Sequence, residues 1–469
     1  MDTLTGRDLS YASIDDVAKL IERKELSPVE VVDNTLARID ELEDTINAYI
    51  HLFTEEARAQ AKAAETEIMS GAYRGALHGI PICIKDIYES GPTTCGSKSL
   101  VGYEAPEDCP SVANLKTAGA IVVGKTETYE FAYGFPTNSS HFKPTHNPWN
   151  LAHECGGSSS GTGGAVSSGM AYAGMGSCTG GSIRWPAFCT GIVGLKATYG
   201  RVSRRGVFPL SWTLDHTGPL ARTVTDAAHM LQGCAGYDPL DPASANVPVP
   251  DFTSKIGRDI KGMKIGLIKE LYEDNCDPKV KKPYDEALRV LEKLGAELIE
   301  VPGLTVRQMQ AIEWPTLFSE ASSIHIRNQR GPRVKDFNPH TWQFLQYGLL
   351  VSAGYYHNAQ RARAQVRDSF LKSLTDKVDV LLTPTIGFPV PPILDESPGL
   401  NIVAGDFTVY TAIFNQTGLP AMQVPCGFDE DGLPVGFQFA GKPFDEETVC
   451  QVGYAYEQET RWIDMHPEM

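Results

Sequence analysis

Two serine clusters set among glycines hold the chemical promise of this sequence: Gly156-Gly157-Ser158-Ser159-Ser160-Gly161 and Thr179-Gly180-Gly181-Ser182-Ile183-Arg184. From Gly156 to Gly164 every residue is Gly, Ser or Thr. Such a stretch buries little apolar surface, so ordering it costs backbone entropy with little return. Its use is to bring backbone N–H groups close to a bound atom, here a substrate oxygen beside a nucleophilic hydroxyl. A hydroxyl nucleophile needs a base. None of the eleven histidines stands in a recognisable serine-hydrolase arrangement, and no H-E-x-x-H motif occurs that would hold a hydrolytic metal. A buried lysine replaces histidine as base when desolvation lowers its pKa. Lys85, which ends the apolar run Ile80–Ile84, is the candidate, with Ser158 and Ser182 as partner hydroxyls. The competing readings are a strand-end lysine facing solvent and loop serines bonded to nearby backbone.

Two other pattern matches conflict with their surroundings. Gly119-Ala120-Ile121-Val122-Val123-Gly124-Lys125-Thr126 fits the phosphate-loop expression letter by letter. A phosphate loop follows a strand, whereas here the residues between the glycines are the strand. Gly157-Ser158-Ser159-Ser160-Gly161 fits a nucleophile elbow centred on Ser159, with Asp215 and His216 following in an acceptable order. An elbow needs a hydrophobic strand directly before it, and residues 148–155 do not offer one.

The elements that must position these residues alternate between helix and strand. Residues 13–72 read as helices, with Ser27-Pro28 as a cap and first position, and Val31, Val32, Leu36, Ile39 and Leu42 at helical spacing. A strand ends at Lys85, a helix spans 111–118 and a strand 120–123. The small residues of 163–176 predict a tightly packed helix. The four prolines of 237–251 mark a surface connection. Beyond it, strand 264–268, helix 277–294 and strand 296–301 make a βαβ unit. Further strands lie at 378–383 and 434–439. The expectation is an α/β/α sandwich, a mixed β-sheet covered by helices on both faces. Length alone suggests about three domains, but the order of elements reads as one domain over 1–469, with N-terminal helices in 1–72 and a core of about 75–230.

Composition narrows the function classes. With 42% hydrophobic and 21% charged residues the chain has ordinary globular material. A net charge of −17 argues against nucleic acid or an anionic membrane as partner. No apolar run approaches the roughly 20 residues of a membrane span, and the N-terminus has no apolar leader segment. The ten cysteines show neither C-x-x-C pairs nor zinc spacing, and read as reduced thiols of a cytoplasmic protein.

The sequence resembles the amidase signature family of serine hydrolases. The likeness rests on Gly79–Asp86, Gly124-Lys125-Thr126, Asn147–Asn150, Gly156–Ser159, Thr179–Arg184, Gly194–Val202, Phe414–Ala421 and Asp431–Gly436. These segments run in the family's order along nearly the whole chain. The resemblance implies a Lys–cis-Ser–Ser triad: Lys85 as base, Ser158 as the bridging serine after a cis peptide, and Ser182 as nucleophile. It also implies an oxyanion hole from the N–H groups of Thr179, Gly180, Gly181 and Ser182. Ala132 and Tyr133, with Ser158, would contact substrate. The implied reaction is hydrolysis of a small carboxylic amide through an acyl-enzyme, with no cofactor, no metal, no nucleic acid and no membrane, and with a homodimer allowed. Two alternatives share the triad: ester or carbamate hydrolysis, and the amidase-like subunit of a tRNA-dependent amidotransferase. The chain departs from the family pattern at Ser160, Cys178 and Trp185, which leaves the triad intact and bears on loop hydrogen bonds and pocket shape.

Overall fold

The computed structural model describes residues 5–273, 276–327, 331–395 and 404–469. Thirteen strands are found among them: β1 Tyr49–Leu52, β2 Pro81–Lys85, β3 Ile121–Thr126, β4 His146–Asn147, β5 Asn150–Glu154, β6 Ala173–Cys178, β7 Val193–Lys196, β8 His216–Ala221, β9 Lys264–Ile268, β10 Glu297–Val301, β11 Val380–Pro384, β12 Ala421–Phe428 and β13 Pro434–Ala440. Eleven of them form one mixed sheet in the order β1-β3-β2-β6-β8-β7-β12-β13-β11-β9-β10, and β4 and β5 pair apart from it.

The sheet is buried on both faces, and single strands show it. Along β2 and β3, Cys83, Ile121 and Val123 pack with Val32, Leu36 and Ile39 of the helix Pro28–Ile46. Their neighbours Ile82, Ile84 and Val122 point the other way, toward Val112 and Leu115 of the helix Pro110–Thr117. Alternate side chains of a strand leave opposite faces, so a strand covered twice must be apolar throughout. The expected α/β/α sandwich with a mixed sheet is the observed architecture.

Most expected elements are found near their places. The helix Pro28–Ile46 starts with a capping box of Ser27 and Glu30. β9 and β10 run parallel on either side of the helix Pro278–Lys293, as a βαβ unit requires. Two expectations need correction. Residues 13–72 are not all helical: the helix Pro28–Ile46 ends at Asn47 in the left-handed region, and β1 follows, antiparallel to β3. Residues 163–176 are not one helix either. A helix Ser160–Ser167 gives way to β6, whose small residues suit a central strand crowded on both faces. Small side chains permit close packing in either conformation, so composition alone does not choose between them.

Candidate active site

The site lies where β2, β3 and β6, all parallel, end together. The C-terminal ends of parallel strands open a crevice in α/β sheets. Lys85 is the last residue of β2, and its side chain has no solvent exposure. Its Nζ lies 2.7 Å from Ser158 Oγ and 2.9 Å from Ser177 Oγ. Burial lowers its pKa to about 7, against the opposing pull of Cys178, Glu127 and Asp215. The reading of Lys85 as a solvent-facing strand end does not hold.

Ser158 follows a cis peptide from Gly157. Gly157 lies against the Tyr129 ring, where a Cβ would come within 2.2 Å of ring carbon. The Ser158 carbonyl accepts from Thr128 Oγ1 at 2.9 Å and from Tyr129 N–H at 3.2 Å, which fixes this turn. Ser182 is partly exposed and borders the same cleft as Ser158. It follows a loop in which Gly181 takes φ +154° and leaves room for Thr411, whose hydroxyl donates to the Gly180 carbonyl at 2.5 Å. Among the described residues, none of the N–H groups of Thr179, Gly180, Gly181 and Ser182 donates to a backbone carbonyl. Thr179 is anchored by its hydroxyl to the half-buried Asp215 at 2.7 Å.

The rejected motifs are occupied otherwise. Lys125 is buried and donates to the Tyr88 carbonyl and to Thr93 Oγ1, both at 2.6 Å, beside Asp86. It is a structural cation with no room for phosphate. Ser159 is fully buried and donates to the Ser182 carbonyl, so it supports the loop that carries Ser182. His216 bonds the Leu214 carbonyl through Nδ1 at 2.6 Å, and no bond links it to Ser159. β5, the strand before Ser159, is largely exposed and leaves the central sheet unextended.

The three departures also find places. Ser160 donates to the buried Glu127 carboxyl. Trp185 packs edge-on to Tyr129, with ring centroids 6.2 Å apart, and forms part of the cleft wall. Cys178 lies outside the cleft lining, with its sulfur 3.5 Å from Arg184 Nη2. Burial pushes that thiol up, but the Arg184 guanidinium outweighs it and leaves the pKa below the ordinary value. The helix that starts at Arg184 turns that guanidinium back onto Cys178.

The cleft beside Ser182 is walled by Tyr129, Ala132, Tyr133, Trp185, Trp314, Phe318 and Phe344. Ala132 and Tyr133 therefore stand at the cleft. Sequence reasoning missed three groups. Ser177, the second partner of Lys85, sits on a strand where a serine reads as ordinary pleat. Glu127 accepts from Thr145 Oγ1 at 3.0 Å, and burial raises its pKa to about 7. Glu313, whose pKa burial raises to about 8, comes from a helix that bears no motif.

A family model described as Amidase matches residues 30–450. The chain belongs to the amidase signature family. It is 39% identical to the A subunit of the glutamyl-tRNA(Gln) amidotransferase of Cyanothece sp., over 98% of this chain and all of that protein. The corresponding protein of Geobacter metallireducens is 40% identical over 97% of this chain and 98% of its own length. Among solved structures, the A subunit of the Thermotoga maritima amidotransferase superposes with a TM-score of 0.82 at 33% identity, covering 97% of this chain and 96% of its own. A bacterial aryl acylamidase superposes with a TM-score of 0.86 at 27% identity, covering 97% of each chain. As a family member the chain is an enzyme of amide C–N bonds. The expectation of a small-molecule partner without nucleic acid is overturned by relatives named as subunits of a glutamyl-tRNA(Gln) amidotransferase. Net charge averages the surface of one chain and does not report what an assembly containing it handles. No helix among the described residues is long and apolar enough to cross a membrane.

Proposed function

We propose that this chain breaks a carboxylic amide C–N bond through an acyl-enzyme on Ser182, as the amide-cleaving subunit of a tRNA-dependent amidotransferase. The observation that carries the chemistry is the buried Lys85 Nζ within 2.7 Å of Ser158 Oγ, which lines the same cleft as Ser182. Neutral Lys85 takes the proton of Ser158 as Ser158 takes that of Ser182. Ser182 Oγ attacks the carbonyl carbon, and the N–H groups of Thr179–Ser182 receive the developing oxyanion. Each such donor is worth about 3–4 kcal/mol in the transition state. The proton returns through Ser158 to the leaving nitrogen, and the C–N bond breaks. Water or another acceptor then releases the acyl group. No cofactor enters these steps. The role within an amidotransferase is supported by relatives of that name that align along nearly the whole chain. The continuous eleven-stranded sheet supports reading the chain as one catalytic domain.

A second reading, a free amidase that also takes esters or carbamates, is favoured by the cleft lining. A free amino-acid donor carries an ammonium and a carboxylate. Among the described residues lining the cleft, there is neither Arg nor Lys to meet the carboxylate. Fluorophosphonate labelling with peptide mapping tests the shared chemistry and is expected to mark Ser182; a label on Ser159 or Cys178 would overturn it. A substrate panel of glutamine, aryl amides, esters and carbamates, read by product mass, separates the readings. Rapid turnover of aryl amides with none of glutamine would favour the free enzyme.

A further inference from the structure

One acid stands in the aromatic wall of the cleft. Glu313 projects from the helix Val306–Ile324, is 1% exposed, and borders the cleft beside Ser182. Its Oε1 lies 2.9 Å from the point where a Cβ on Gly180 would sit, hard against the proposed oxyanion loop. The Thr408 hydroxyl beside it opposes the upward pull of burial on its pKa. Yet neither Glu313 oxygen holds a hydrogen bond of normal geometry, and the Tyr133 hydroxyl and Trp314 Nε1 are likewise unsatisfied among the described residues. A buried carboxyl so poorly paired is held in its neutral form and ionises when a cation arrives to pair with it.

The surroundings say what would arrive. Tyr133, Phe318 and Phe344 lie ring to ring, at centroid distances of 5.3 to 6.4 Å, with Trp314 next to Phe318. Aromatic faces attract cations, the more so away from water. The free space measures about 60 Å³, so the walls lie close to whatever enters. A net charge of −17 draws cations toward the molecule. We propose that the cleft takes an amide whose acyl part bears an organic ammonium group, paired with the Glu313 carboxylate among the rings of Tyr133, Trp314, Phe318 and Phe344. This rests on the amide-cleaving reading above and names its substrate class. Glu313 is then a specificity residue with no part in bond breaking.

The test compares ammonium compounds with their uncharged isosteres: alaninamide against isobutyramide, and β-alaninamide through 5-aminopentanamide against the n-alkanamides of equal length. Calorimetric binding to Ser182→Ala, which needs no turnover, is expected to favour at least one ammonium member by about tenfold or more, and Glu313→Gln in that background should bring the pair to parity. Parity in Ser182→Ala itself, or a preference that survives Glu313→Gln, would overturn the proposal. Equal loss for both members of a pair would make Glu313 a packing residue and would also overturn it. If the preference holds while fluorophosphonate fails to label Ser182 in the parent chain, the amide-cleaving reading falls and the cation site stands.

Discussion

The floor of the cleft and its wall are built on different principles. The floor is polar and crowded: Lys85 donates to both Ser158 and Ser177, on strand ends and tight turns fixed by further hydrogen bonds. The wall is aromatic: Trp314, Phe318, Phe344 and Glu313 come from the helices Val306–Ile324 and Pro339–Leu350, and Tyr129, Tyr133 and Trp185 from the signature region opposite. A floor of buried, mutually bonded side chains tolerates little displacement, because hydrogen bonds weaken steeply with distance and angle. A wall of rings works by area and tolerates change in shape. Damage to the floor should therefore appear in kcat, and damage to the wall mainly in KM.

The comparison breaks most sharply at Ser182. Ser182→Ala should lower kcat/KM by about 10⁴-fold or more, with binding of amides retained. Loss of binding together with turnover would place Ser182 in the wall rather than the floor. Lys85→Ala should cost about 10²–10⁴-fold in kcat, the range of a general base, with little change in KM. The pH dependence follows from the sign of the Lys85 shift. Its pKa lies near 7, so the neutral, proton-accepting form gains as pH rises. The rate should climb from pH 5 and level off above about 8. A flat profile with chemistry rate-limiting would remove Lys85 from its role.

Smaller effects sharpen the contrast. Trp185→Leu removes one ring of the wall and its edge contact with Tyr129. KM for an aromatic amide should rise about tenfold while kcat moves less than threefold; a kcat loss alone would show that the wall positions the floor. Cys178→Ala should matter least to turnover. The thiol sits behind the loop on Arg184, so its removal should cost about 1 kcal/mol of stability, with kcat/KM within threefold. Full inactivation at unchanged melting temperature would mark Cys178 as part of the chemistry.

The same division governs what the sequence reveals. The floor was legible because its residues lie in short contiguous segments rich in glycine and serine, where residue type is dictated by backbone approach. Gly157 against Tyr129 and Gly181 against Thr411 are such approaches. Ser177 escaped notice because a serine on a strand needs no special reason. Glu313 escaped because a helix face facing a cleft has the same periodicity as one facing a core. The misreading of 163–176 has a related cause: where every side chain is small, neither helical nor strand periodicity is written into the sequence. The motifs left the amidotransferase subunit open as an alternative; the charge total pointed away from nucleic acid because it carries no information about assemblies.

The strand order has a consequence for how the molecule is made. β7 pairs with β8 on one side and with β12 on the other, and β12 lies more than two hundred residues later in the chain. At synthesis rates of about 5–20 residues per second, the outer edge of β7 waits on the order of ten to forty seconds for its partner. During that interval Val193–Lys196 offers unpaired backbone groups in the middle of the future sheet, the kind of edge on which nascent chains pair wrongly. The proposed triad is complete in sequence by Ser182, but the sheet beneath it closes only when β12 arrives. The yield of active enzyme should then depend on protecting ribosome-bound chains that have passed Lys196 and have not yet reached Ala421.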